Sequence, residues 1–139
     1  MAVDNQLTKF IFEKIGVPSF QKYLTLGSYR HKLISSNISN VSTPGYQAED
    51  IDFQEEFSKM TAQTNHVSGA ITNPNHIPLG AHPQRAPRVD HQQIKDGDIN
   101  SVSIEEQASN LAQNELLYTI GARLIKQRFE GLKNAITSK

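Results

Sequence analysis

The residues of this chain that could bind a metal or move a proton are few and poorly arranged for either task. Histidines stand at His66, His76, His82 and His91 among prolines. None is four residues from another, the spacing that sets two imidazoles on one helix face, and the chain has no cysteine to complete a mixed ligand set. The run Asp96-Gly97-Asp98-Ile99-Asn100 opens like a calcium loop. Ser101 then stands where the sharp turn needs glycine, and Gln107 where a bidentate carboxylate should close the site. No glycine-rich phosphate loop and no Gly-x-Ser-x-Gly elbow is present. The expectation is a protein without catalytic residues, cofactor, metal or small-molecule substrate.

Composition narrows the partners. In 139 residues, 14 basic side chains balance 14 acidic ones, so the formal net charge is zero. Nucleic acids and anionic membranes recruit basic surfaces, which argues against both. The first twelve residues lack a basic stretch followed by an apolar core, so no cleaved signal peptide is expected. No apolar run is long enough to span a bilayer. The chain reads as soluble, with export by a route that needs no cleaved signal left open.

The elements that must position any surface fall into three parts, 1–63, 64–102 and 103–139. A short helix is expected from Asp4, with Leu7, Phe10, Ile11 and Ile15 at helical spacing, ended by Gly16 and Pro18. A second helix is expected over 19–40, about 33 Å long, with Phe20, Tyr23, Leu24, Leu26, Leu33, Ile34 and Ile38 forming its apolar stripe. Thr43-Pro44-Gly45-Tyr46 then suits a type II turn, with proline at the second position and glycine at the third. Ile51 and Phe53 alternate with acidic residues, and Asp52 with Glu55 resembles the cap of a small helix presenting Phe53, Phe57 and Met60. The middle part is rich in His and Pro and has no aromatic residue, so an extended loop or short strands are expected there.

The last part carries the strongest pattern. Ser103 and Glu106 form a capping box. Ile104, Ala108, Leu111, Glu115, Tyr118, Ala122, Ile125, Phe129, Leu132 and Ile136 then alternate by four and three, a heptad seam on a helix about 50 Å long. The only other long helix is shorter, so part of the seam must meet another molecule. The expected fold is mainly α: long N- and C-terminal helices packed as a coiled-coil-like bundle, with little or no β structure. The two terminal parts would make one discontinuous helical domain.

The stretch Asn37-Ile38-Ser39-Asn40-Val41-Ser42-Thr43-Pro44-Gly45-Tyr46 resembles the N-terminal signature of bacterial flagellar rod and hook proteins. Gln47 to Phe53, Thr72 to Ile77 and Gln127 to Ile136 resemble the proximal rod members in particular. The chain also has no room for the inserted β-domain of distal rod and hook members. The resemblance implies a structural subunit of the basal-body rod, exported through the flagellar type III apparatus and placed in the periplasmic space. It would polymerise through its terminal helices into the proximal part of the drive shaft and export channel. The implied partners are copies of itself, other proximal and distal rod proteins, and the adaptor joining rod to membrane ring.

Asn37, Ile38, Asn40, Thr43, Pro44, Gly45 and Tyr46 are accordingly the expected turn and assembly motif. Asn37 and Asn40 suit a helix end, since asparagine tolerates the left-handed region and caps free carbonyls. Their amides are also candidates for bonds to a neighbouring subunit. Leu26, Leu33, Leu111, Tyr118, Ile125, Phe129, Leu132 and Ile136 are the expected intersubunit packing set. The alternative is a non-enzymatic regulatory or adaptor module that binds one partner helix through the C-terminal heptad face.

Overall fold

The computed structural model describes residues 13–14, 16–62 and 86–137. The short helix expected from Asp4, with Leu7, Phe10, Ile11 and Ile15, lies outside the described residues, as do His66, His76 and His82. Among the described residues five elements follow in order: α1 (Val17–Ser39), β1 (Glu49–Asp50), α2 (Phe53–Ala62), β2 (Asp90–His91) and α3 (Ile104–Thr137). The chain is mainly helical, as expected. The only sheet among the described residues is an antiparallel pair of two-residue strands, with Glu49 opposite His91 and Asp50 opposite Asp90. No helix among the described residues is long and apolar enough to cross a membrane.

Glycine and proline set the start of α1. Gly16 takes φ 79°, a conformation disfavoured for residues with a Cβ, and the Gly16 N–H donates to Glu13 O at 3.0 Å. Pro18 sits in the first turn of α1, where its missing N–H costs nothing. At α2, Asp52 Oδ1 accepts the Glu55 N–H at 2.8 Å, the cap that its sequence position implies. Lys22 closes the other end by donating its Nζ to Met60 O at 2.6 Å. Ser103 Oγ accepts the Glu106 N–H at 3.4 Å and opens α3.

The core is small. Leu26, Leu33 and Ile51 are buried, with Tyr29, Phe53, Phe57, Met60 and Val89 packed around them. Tyr23 meets Phe53 and Phe57 edge-on, with ring centroids 5.1 and 5.6 Å apart. The apolar face expected on α2 therefore anchors that helix to α1. Arg30 joins α1 to β1 through a fork on Asp50, Nε to Oδ1 at 2.8 Å and an η nitrogen to Oδ2 at 2.6 Å. The hydrogen bonds that Arg30 donates to Asp50 hold its guanidinium above its ordinary pKa, against the opposing effect of partial burial.

Helices α1 and α3 form an antiparallel hairpin. Asn37 meets Gln107 near one end, and Tyr23 meets Gly121 further along. By that register Val17 lies opposite about residue 127, so roughly the last three turns of α3 extend beyond the start of α1.

The line of α3 that faces α1 is not the heptad seam. Its buried residues are Gln107, Asn114 and Gly121, two amides and a glycine spaced by seven. A seven-residue step advances a straight helix by only about 20°, so these three stay on one line. Leu111, Tyr118 and Phe129 lie about 40–60° to one side of it, and Leu117 and Leu124 about 60–80° to the other. The line buried deepest against α1 is thus set off from the heptad seam, of which Tyr118 still reaches Gly27 on α1.

Small residues allow the close approach. Gly27 faces Tyr118 and Asn114, and a Cβ built on Gly121 would lie 3.0 Å from the Tyr23 ring and 3.3 Å from Leu24. Gly121→Ala should therefore destabilise the chain by about 1 kcal/mol net, crowding outweighing the gain in helix propensity. Gly131, whose Cβ would meet nothing within 4 Å, is the control. Gly131→Ala should stabilise by about 0.5–1 kcal/mol. Urea midpoints of the two variants moving in opposite directions would confirm the tight crossing; both moving upward would refute it.

Candidate assembly surface and the turn that positions it

The end of α1 is built around one side chain. Asn37 is 1 % exposed, and its amide meets four partners. Nδ2 donates to Glu49 O at 2.8 Å and to Gln107 Oε1 at 3.0 Å. Oδ1 accepts from the Glu49 N–H at 2.9 Å and from Tyr46 Oη at 3.2 Å. The amide thus bonds the N–H and C=O of one β1 residue as a neighbouring strand would. It also ties the three segments that converge there, α1, the turn and α3. All four hydrogen-bonding positions of the Asn37 amide are used within the chain.

Asn40 and the turn complete the helix end. Asn40 has φ −103°, and no non-glycine residue among those described has positive φ. The left-handed conformation expected for asparagine is therefore absent at Asn37 and Asn40. Asn40 caps by side chain instead: Nδ2 donates to Ser36 O at 2.9 Å, and Oδ1 accepts from Thr43 Oγ1 at 3.2 Å. Across Thr43-Pro44-Gly45-Tyr46, the Tyr46 N–H donates to Thr43 O at 3.3 Å, and Gly45 takes the positive φ, 74°. Tyr46 is half-buried, its hydroxyl 3.3 Å from Ser36 Oγ. Ile38 is half-buried and Thr43, Pro44 and Gly45 are exposed.

The segment 95–103 braces this corner. Asn100, which the sequence places in the abortive calcium loop, donates its amide to Val41 O and accepts from the Val102 N–H at 3.0 Å. The Gly45 N–H donates to Ile99 O at 2.8 Å, and Ser101 Oγ accepts the Ala48 N–H at 2.8 Å. Among the described residues, no group of three or more His, Asp or Glu side chains is arranged to hold a metal ion. His91 pairs with Glu49, Nδ1 to Oε1 at 3.6 Å.

The expected packing residues divide in two. Leu26 and Leu33 are buried inside the chain itself. Leu111, Ile125 and Leu132 are half-buried, whereas Tyr118, Phe129 and Ile136 are exposed, Ile136 by 75 %. Pattern reading missed a second exposed set on the other flank, Leu117, Ile120 and Leu124. Ile120 and Leu124 of that set wall an apolar groove of about 360 Å³ with Phe20, Tyr23 and Phe57. The recurrence of Gln107, Asn114 and Gly121 at sevens was the available signal. A polar line between apolar flanks marks a close internal contact with two outer surfaces.

A long helical hairpin pinned by an Asn-to-Tyr turn, with apolar residues left exposed on two flanks, is the build of an α-helical structural subunit. No family model matches the chain. The flagellar basal body rod protein FlgB of Salmonella typhimurium is 33 % identical to it over 124 residues, covering 84 % of this chain and 88 % of that protein. FlgB of Escherichia coli is 32 % identical, covering 85 % and 90 %, and FlgB of Cereibacter sphaeroides is 30 % identical, covering 81 % and 87 %. The chain belongs to the family of the flagellar basal body rod protein FlgB, and it is a structural subunit of that kind.

Proposed function

We propose that the chain polymerises through its terminal helical parts, which act as one discontinuous domain, to form the proximal part of the flagellar drive shaft and its central export channel. The observation that carries this reading is the pair of exposed apolar flanks on α3, Tyr118, Phe129 and Ile136 on one side and Leu117, Ile120 and Leu124 on the other. A subunit inside a tube has neighbours on both sides. A module binding one partner helix needs only one groove, so the adaptor reading is the weaker.

In this reading the copies contact one another, other proximal and distal rod proteins, and the adaptor to the membrane ring. The chain reaches the periplasmic space through the flagellar type III apparatus without a cleaved signal peptide. Asn37, Asn40 and Tyr46 hold the corner that sets the angle between α1 and the β1 segment. The intersubunit work falls to Leu111, Tyr118, Ile125, Phe129, Leu132 and Ile136. The role is mechanical, with no catalysis, cofactor, nucleic acid or small-molecule substrate.

The purified chain is expected to sediment as a monomer and to gain helix when mixed with other rod proteins, because exposed apolar surface gains free energy when a partner covers it. Circular dichroism and sedimentation, alone and in mixtures, provide the check. A compact dimer indifferent to rod proteins would sink the proposal.

A further inference from the structure

Two features meet at the start of α1. The first is the groove walled by Phe20, Tyr23, Phe57, Ile120 and Leu124, about 360 Å³ in volume and lined almost wholly by apolar atoms. The second is the point where the N-terminal residues join the described ones. Glu13 and Lys14 are helical, and the Gly16 N–H donates to Glu13 O, so that helical stretch stops at Gly16. A helix running straight on into α1 is opposed by the Gly16 φ of 79°, far from the helical value of about −63°. Pro18 opposes it too, since its ring would meet the Lys14 carbonyl. The chain therefore changes direction at Gly16, three residues before Ser19 on the rim of the groove.

We propose that the groove receives the apolar face of residues 4–14 of the same chain, with Phe10 and Ile11 at its centre. Leu7, Phe10 and Ile11 share one face at helical spacing. If the segment folds back at Gly16, Ile11, five residues before the hinge, comes level with Gln21, five residues after it. Phe10 comes level with Lys22 and Leu7 with Thr25. This span of α1 carries Tyr23, which meets Gly121, so the same heights on α3 hold Ile120 and Leu124. The apolar residues before Gly16 thus stand at the distances from the hinge at which the groove has its walls.

The tether favours this occupant over a second copy. A segment joined to the rim by so short a stretch acts at an effective concentration of about millimolar, well above that of other copies at micromolar chain. Docking leaves the flank apolar. Phe12 lies about 160° round a helix from Phe10, so it faces outward on the flank of Leu117, which is not part of the groove wall. A neighbouring subunit would then meet Leu117 and Phe12 in place of Ile120 and Leu124. The contact forms within one chain and goes beyond the rod reading without depending on it.

Disulfide trapping in the purified full chain tests this, since the chain has no native cysteine. Two double variants are compared, Ile11→Cys with Leu124→Cys and Ile11→Cys with Leu132→Cys. The first pair meets if the segment folds back, the second if it runs on beside the overhanging end of α3. Under mild oxidation the first should close within a single chain at least about tenfold faster than the second. Phe10→Asp added to the first pair should slow closure by about tenfold, because a carboxylate is poorly accommodated in an apolar groove. Equal or faster closure of the second pair overturns the proposal, as does closure indifferent to Phe10→Asp. Disulfide-linked dimers of the first pair would give the groove to a second copy and overturn it equally.

The single variant Leu124→Cys keeps the test decisive if the substitution at Ile11 itself loosens the segment. Its thiol should react with iodoacetamide about five- to tenfold faster once Leu7→Asp and Phe10→Asp are added. Unchanged reactivity counts against an occupied groove. No rod partner takes part in these measurements, so a negative result leaves the rod reading standing. Absence of the wild-type chain from basal bodies would overturn the rod reading and leave this contact untouched.

Discussion

Asn37→Ala should destabilise the folded chain by about 3 kcal/mol or more, the largest loss expected from any single truncation at the turn. The substitution removes four hydrogen bonds at once, and it strips the Glu49 N–H and C=O and the Gln107 amide of partners inside the structure. A buried polar group left without its partner costs about 1–3 kcal/mol, so three such losses are a large fraction of the stability of a small domain. Gln107→Ala is the informative comparison, because Asn37 then keeps its bonds to Glu49 and Tyr46. Its cost should be smaller by at least about 1 kcal/mol. Chemical denaturation of the two variants provides the check. Equal costs would mean that the Asn37–Gln107 bond alone matters and that the bonds to β1 add nothing.

That hub explains the sequence order around the turn. An asparagine in the last turns of a helix can place its amide beside the chain that returns after the turn. Thr43-Pro44-Gly45-Tyr46 brings the chain back so that Glu49 pairs with that amide and Tyr46 covers it. Asparagine suits the position because its short amide offers both donors and acceptors. Aspartate at the same place would set a carboxylate against Glu49 O and Gln107 Oε1, both acceptors. The corner then fixes where β1 and α2 lie relative to the hairpin.

The helices were legible because local signals mark them: Gly16 and Pro18 before α1, Asp52 before α2, Ser103 before α3, and Pro44-Gly45 at the turn. The face of α3 was not legible in the same way. Heptad reading follows apolar residues, and it lays the seam through Leu111, Tyr118 and Ile125. The chain instead spends its polar line, Gln107, Asn114 and Gly121, on the internal contact, where Asn114 Nδ2 donates to Gly27 O at 3.0 Å. A pattern of hydrophobicity cannot find a contact made by amides and glycines. The fork of Arg30 on Asp50 escaped for another reason: a pairing across twenty residues depends on the turn geometry, which no periodicity encodes. Asn100 was visible only as a failed metal ligand, while its amide serves the carbonyl of Val41.

Phe129→Asp should lower incorporation into the basal body by at least about tenfold while leaving export and folding nearly intact. Phe129 lies on α3 beyond the reach of α1, and 41 % of its surface is exposed in the single chain. An exposed helix position tolerates a polar residue at a cost of about 1 kcal/mol or less, so helicity and export should change little. An intersubunit contact is far less tolerant, because burying the carboxylate against an apolar neighbour incurs a desolvation cost in addition to the lost ring contact. Phe129→Leu restores an apolar side chain and should recover most of the incorporation. Ile136→Asp tests the same flank independently, at a residue exposed by 75 %. Three quantities must be compared: exported chain, chain in purified basal bodies, and helicity of the purified variant. Normal incorporation of both aspartate variants would remove this flank from the assembly. Loss of incorporation together with loss of export or helicity would show that the variants fail before assembly begins. Loss of incorporation alone, reversed by leucine, is the result that the exposed apolar flank demands.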